Sequence, residues 1–413
     1  MITSLFDLES RSEPQSQTSI EVGSDVFEFG SLSEAGVVVT PATALQLAAV
    51  FSSVQILASS MAQLPLHVLR KKDNKVSKAT DHAAYYLLHD SPNEWQTSFE
   101  FREQNMLNIL SSGNGVSKIN RNFRGELTSI EYIERENFAK PQRVTNTRRY
   151  MYPVWDDIDK RQTWVRPDEI IHIKSFGGVD KRWGMSPITV HAESLGLGLA
   201  AQKYGNQFFG SGGRPNGILV SKSGGSGTNG ETQRANLKKA WNSAGIGKGG
   251  GRTALLHGDI DYKPITVTPE EAQFLATRKF NRSEIAGIYN VPPHMIGDLE
   301  RATFSNISEQ AIQFVTHSIM PWVTRHEQEY NRKIFTPDER RAGFYVKFNL
   351  GGLLRGTPKD RALFYQRAIH DGWMDRNEVR EMEDLNPRDG LDELLISANC
   401  KLPSQLKQEG KKR

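Results

Sequence analysis

Two adjacent prolines, Pro292 and Pro293, stand between two stretches patterned as helices, and no regular helix can run through them. A proline has no amide hydrogen to donate and disfavours helix at the residue before it. The segment Asn290 to Asn306, NVPPHMIGDLERATFSN, is therefore a forced loop, longer than a simple turn needs. It carries both charge signs and holds apolar side chains with no obvious core to join. These features predict that Val291, Pro292 and Pro293 end one helix and that His294 to Phe304 project from the fold.

The helix entering this loop opens with a capping box, Thr268, Pro269 and Glu271. The helix leaving it, SNISEQAIQFVTHSIMPWVTRHEQEYNRKIF, carries Pro321 in its interior, which predicts a kink rather than an end. A further long helix lies upstream, with Ser186 as N-cap, Pro187 at the first helical position and Gly210 to Gly213 as the stop. Gly196 and Gly198 inside it each cost roughly 1 kcal/mol of helix propensity, which predicts close approach by a neighbouring helix. Between the two helices preceding the loop lies a compact module, Arg214 to Thr266, patterned as strand, helix, strand, strand with glycine-rich turns.

Residues 1–38 are rich in Ser, Glu and Gln and poor in apolar clusters, which predicts a disordered arm. A helix is expected from Thr40 as N-cap and Pro41 at the first turn, followed by a short strand after Pro65 and two amphipathic helices, the second ended by Gly113. From about 115 to 175 the period is two, predicting a small, mostly antiparallel sheet. His172, between isoleucines in one of these strands, is expected to face solvent. Downstream of the long kinked helix come a strand, GFYVKFNL, two short helices and a basic tail.

Several functions find no support. No run of about 18 apolar residues exists, so no membrane span is expected, and the start lacks a secretory signal, so the expected site of synthesis and residence is the cytoplasm. The single cysteine, Cys400, excludes an internal disulfide. GIGKGGGR has Gly249 where a phosphate loop needs Ser or Thr and Asn242 where it needs its first glycine. HEQEY at His326 lacks the second histidine of a zinc hydrolase, and no nucleophile elbow occurs. Asp156, Asp157 and Asp159 in WDDIDK resemble a two-metal nuclease cluster, yet acidic turns between strands are common and a solvated turn is expected. The last helix, Asp375 to Leu385, is too acidic to enter a groove of phosphates. No cofactor, metal or catalytic residue is predicted. The net charge is only +4, but Lys181 to Arg282 holds 14 Lys and Arg against 6 Asp and Glu, so the middle of the chain is its basic part.

The ordered segments TPATALQLAAVFSSVQILASSMAQLPLHVLRK, DEIIHIKSF, RWGMSPI, QFFGSGGRPNGIL and FLATRKFNRSEIAGIYNVPPHMIG, with the long helix after them, resemble the portal proteins of tailed phages, Hong Kong 97 type, from about Pro41 to Leu385. The resemblance implies an α+β portal fold: a wing of helices and small antiparallel sheet at 39–185, stem helices at 186–212 and 268–290, and an α/β clip at 213–267. A tunnel loop at 291–305, a kinked helix with a wing strand at 306–350, a helical crown at 351–399 and a tail at 400–413 complete it. It further implies a ring of about twelve copies at a capsid vertex, assembled in the host cytoplasm, passing double-stranded DNA inward during packaging and outward on ejection. The implied partners are the large terminase, a head–tail adaptor and the major capsid protein or scaffold.

Carried onto this chain, the tunnel loop presents His294, Met295, Ile296, Asp298, Glu300, Arg301, Thr303 and Phe304. Arg278, Lys279 and Arg282 form a possible basic ring on the stem, with outward-facing solvated charges as the equal alternative. Lys238, Lys239 and Trp241 are the clip's candidates for terminase or connector contact, though Trp241 also suits the module's core. Two readings from other classes stand beside this one: a DNA-processing nuclease using the WDDIDK carboxylates, and a monomeric DNA-binding regulator using the C-terminal helices.

Overall fold

The computed structural model describes residues 31–73, 75–144, 149–156, 160–177, 181–210, 217–221, 260–264, 282–298, 310–351, 358–383 and 385–395. The expected arm lies outside the described residues up to position 30, and its last residues, 31–38, are structured. β1 (Ser31–Leu32) and β2 (Val38–Val39) form a hairpin whose Ser33 and Val39 are buried. Thr40 then caps α1 (Pro41–Ala44) through a reciprocal box with Thr43. The helix expected to continue from there breaks: Leu47 is extended, and α2 (Ala48–Ala62) starts afresh behind it.

β3 (Leu66–Lys72), β4 (Lys75–Lys78), α3 (Ala83–His89) and α4 (Ser98–Ser112) follow. α4 is held at one end by a Thr97–Glu100 box and at the other by Gly113, whose φ of +83° suits a residue without a side chain. Arg102 of α4 is buried, and its guanidinium donates to the Ala62 carbonyl, at 3.2 and 2.8 Å, and to the Leu88 carbonyl at 3.1 Å. It thus caps the C-terminal ends of α2 and α3 together, where carbonyls lack helical partners and the helix dipole favours a cation. Arg102→Met should leave these carbonyls unpaired and lower stability by about 2–3 kcal/mol, read as a reduced urea midpoint at unchanged slope.

The period-two region forms two three-stranded antiparallel sheets. β5 (Asn114–Arg121) lies between β6 (Leu127–Tyr132) and β10 (Ile170–Lys174), while β8 (Tyr150–Asp156) lies between β7 (Gln142–Arg143) and β9 (Arg161–Val165). His172 does not face solvent. It is 5% exposed, with Nδ1 2.9 Å from the Tyr152 hydroxyl and Nε2 3.0 Å from Asn114 Oδ1. Ile170, Ile171 and Ile173 are buried with it, so both faces of β10 are covered and alternation carries no in–out information.

Ser186 caps α5 (Pro187–Val190) by accepting from the Thr189 amide, but the helix breaks at His191 and resumes as α6 (Ala192–Gly210). Among the described residues of the single chain, the close neighbour of Gly196 is a hairpin. A methyl group there would lie 2.3 Å from Ser33 Oγ, because the chain's own N-terminal hairpin packs on α6. β11 (Gly217–Ser221) and β12 (Ile260–Pro264) pair antiparallel with Ser221 opposite Ile260.

Residues 282–288 form α7, and a π-helical segment, Phe314–Ile319, runs into α8 (Met320–Lys333). α9 (Pro337–Arg341) and β13 (Phe344–Phe348) follow; β13 pairs with β3, so a sheet built mostly from the start of the chain is completed near its end. α10 (Pro358–His370) and α11 (Arg376–Met382) close the described chain, α11 starting from an Asp375–Glu378 box. The main core gathers Val54, Leu57 and Met61 of α2, Met106, Ile109 and Leu110 of α4, Val68 of β3, Ile171 of β10 and Val323 and Tyr330 of α8. The helix runs on through Pro321 rather than ending, with a π turn immediately before it.

Candidate nucleic-acid interface

α7 is anchored by Ile285, Ala286 and Tyr289, all buried. Its end is not made by the two prolines. Asn290 adopts a φ of +53°, its amide donates to the Gly287 carbonyl at 3.1 Å, and the Val291 amide donates to the Ala286 carbonyl at 2.9 Å. This is a Schellman cap with asparagine in the left-handed position, and the buried Val291 supplies its apolar contact. The prolines then prevent resumption.

The next residues stay with the body. Pro293–Ile296 makes one tight 3₁₀ turn, closed by Gly297 at a φ of +83°, and the Asp298 amide returns to the Pro293 carbonyl at 3.0 Å. Ile296 packs against the main core, so the expectation that this side chain projects away is corrected: the core beside α2 takes it. Asp298 is committed as well, accepting from Ser283 Oγ at 2.9 Å and tying the turn back to α7. His294 is half-buried, Met295 is exposed, and Arg282 is exposed on α7. Glu300, Arg301, Thr303, Phe304, Arg278, Lys279, Lys238, Lys239 and Trp241 lie outside the described residues.

A contact that no local sequence pattern announces joins this turn to the next helix. Asn290 Nδ2 donates to the His317 carbonyl at 3.1 Å, and the Ser318 hydroxyl donates to the Asn290 carbonyl. Asparagine directly after a helical pattern and two residues ahead of a proline was a legible C-cap signal.

Of the nuclease cluster, Asp156 ends β8 opposite Arg161 of β9, and Asp157 and Asp159 lie outside the described residues. Among the described residues no three His, Cys, Asp or Glu side chains are grouped as a metal site, and no helix is long and apolar enough to cross a membrane. What the described geometry offers is a rigidly capped helix end delivering the chain, after Asp298, from a fixed point on the body.

Comparison with known proteins identifies relatives of this arrangement. Residues 48–384 match the family described as phage portal protein. The chain is 33% identical over 381 residues to the probable portal protein of Streptomyces phage phiC31, covering 89% of this chain and 81% of that protein. It is 30% identical over 352 residues to the portal protein of Enterobacteria phage HK97, covering 84% and 81% respectively. Among solved structures, an HK97-family phage portal protein from Corynebacterium diphtheriae superposes with a TM-score of 0.56 at 15% identity, over 80% of this chain and 99% of that one. A chain in the neck of a native gene transfer agent particle, computed with C12 symmetry, superposes with a TM-score of 0.54 at 23% identity, over 84% and 92%.

Proposed function

The chain belongs to the phage portal protein family, and from that premise we propose that its copies close into a ring whose central hole passes double-stranded DNA into and out of a phage head. The observation that carries this reading is identity of about one residue in three to full-length portal proteins, spread over four-fifths of their length rather than confined to one motif. The ring has about twelve members, a count supported by the C12 neck in which a chain of the same fold sits. It is a virion component at one capsid vertex, assembled in the host cytoplasm and held by the major capsid protein or scaffold. It acts as a conduit rather than an enzyme.

In this reading 39–185 with the later strand β13 is the wing, 186–212 and 268–290 are the stem, 213–267 is the clip and 351–399 the crown. The clip meets the large terminase and then a head–tail adaptor, with Lys238, Lys239 and Trp241 in the contact. Around the axis, Arg301 and Glu300 repeat as belts of opposite charge, while Arg278, Lys279 and Arg282 supply a further basic belt. At the loop Arg301 and Glu300 cancel, which suits transport there, because each phosphate held by a cation adds affinity and a tightly held duplex would stall. Asp298 contributes by fixing the turn through Ser283 rather than by facing the duplex.

Electron micrographs of negatively stained full-length protein, with mass measurement in parallel, test this directly. The expected result is rings with an open centre and a mass near twelve times 46.4 kDa. A species that stays monomeric or dimeric at micromolar concentration, with no hole in any particle, overturns it.

A further inference from the structure

Pro321 and Asn290 stand far apart in sequence, yet each explains the other. In a regular α-helix the amide of residue 321 donates to the carbonyl of residue 317. Pro321 has no such hydrogen, so the His317 carbonyl loses its α-helical donor, and the helix widens into a π turn over Phe314–Ile319, with the Met320 amide reaching back to the Val315 carbonyl. That same His317 carbonyl accepts from Asn290 Nδ2 at 3.1 Å. The neighbouring Ser318 hydroxyl donates to the Asn290 carbonyl, so successive residues of the π turn grip both ends of one asparagine. Asn290 is also the left-handed cap from which 291–298 departs.

We propose that Asn290 is a positioning residue for DNA passage: it takes the carbonyl that Pro321 frees and so fixes the direction in which the loop leaves to the π turn of the following helix. Any repacking of residues 310–333 is then transmitted to the loop through a cap too short to absorb it. The left-handed conformation explains why asparagine suits the place. Glycine would adopt the same φ but donate nothing, whereas aspartate keeps the shape and lacks the donor.

The inference rests on the reading of 291–305 as channel-lining, and its test separates the two. Full-length Asn290→Asp, Asn290→Gly, Pro321→Ala and Asn290→Asp/Pro321→Ala are compared with the unaltered protein for ring formation, for hydrogen exchange of the amides of 291–298 in the ring, and for nuclease-protected DNA in particles built with each. Rings should form throughout. Both Asn290 substitutions should raise exchange and cut protected DNA by about tenfold, the equivalent of one hydrogen bond. In the Pro321→Ala background residue 321 regains a donor that competes for the His317 carbonyl, so Asn290→Asp should then change neither readout by more than about twofold. Unchanged exchange in Asn290→Asp, wild-type behaviour of Asn290→Gly, or multiplication of the two losses in the double variant would each overturn the pairing. Raised exchange with undiminished packaging would leave the hydrogen bond intact as structure but remove the loop from DNA passage, and with it the channel reading.

Discussion

Alanine in place of Gly184 should destabilise the chain by about 3–5 kcal/mol, more than a typical buried substitution. The added methyl would sit 2.1 Å from the Gly113 carbonyl oxygen and 2.8 Å from the Ser175 nitrogen, both backbone atoms with no rotamer to yield. Relief by backbone movement is blocked from several sides. Asn114 Nδ2 donates to the Gly184 carbonyl at 3.0 Å, the Gly184 amide donates back to Asn114 Oδ1 at 2.8 Å, and the Ser175 amide donates to the Gly113 carbonyl at 2.8 Å. Displacement of Gly184 leaves the buried Asn114 amide short of two partners, and Asn114 is also the residue that accepts from the buried His172 imidazole. Chemical unfolding of Gly184→Ala against the parent checks this. A midpoint within error of the parent would mean that the 113–114, 175 and 184 backbones are far more pliable than their bonding indicates.

Acidification gives the other large effect. Burial, with the charges of Lys174, Lys333 and Arg135 adding to it, pulls the His172 pKa from 6.5 down to about 3. For His326 burial is again the main cause, opposed by its hydrogen bond to the Trp322 carbonyl and aided by Arg102 and Arg325, and the pKa falls to about 4. Both imidazoles are neutral in the folded chain where their unfolded counterparts are already protonated. The unfolded state therefore binds more protons below about pH 6.5, and stability falls as pH drops, each histidine contributing about 1.4 kcal/mol per pH unit. Between pH 7 and pH 4.5 the two together should remove about 5 kcal/mol. His67, lowered to about 4 chiefly by burial, acts in the same direction but more weakly because it is only half-buried. Urea midpoints measured across that window decide the matter, and His326→Phe should flatten the slope by about one proton's worth. A flat profile in the parent would show that these imidazoles are charged in the fold.

The local signals in this sequence translated well where one residue controls one backbone event. Thr40 with Pro41, Ser186 with Pro187, and Gly113 each mark the boundary they were read to mark. The reading faltered where the outcome depends on what lies opposite. His172 belongs to a run of four buried residues, Ile170 to Ile173, and a run rather than an alternation signals a strand covered on both faces. Gly196 correctly announced a close approach, but nothing in its own helix could say that Ser33, within the supposed arm, was the visitor. Ile296 looked coreless because the core it joins includes α2, more than two hundred positions earlier. At the loop the prolines were legible and their consequence was displaced by one cap: Asn290 ends α7, and Pro321 finds its compensation in that asparagine across a stretch no local pattern spans.

The pairing of Ser221 with Ile260 has a consequence for how such a chain can diversify. Cross-strand partners place their backbones about 5 Å apart, so residues 222–259 leave and re-enter through a single doorway. Lengthening, shortening or exchanging that insert leaves the geometry of its entrance untouched. The same strand pair can thus carry inserts of different length without renegotiating its own pairing, much as a tool keeps its handle when the bit is swapped.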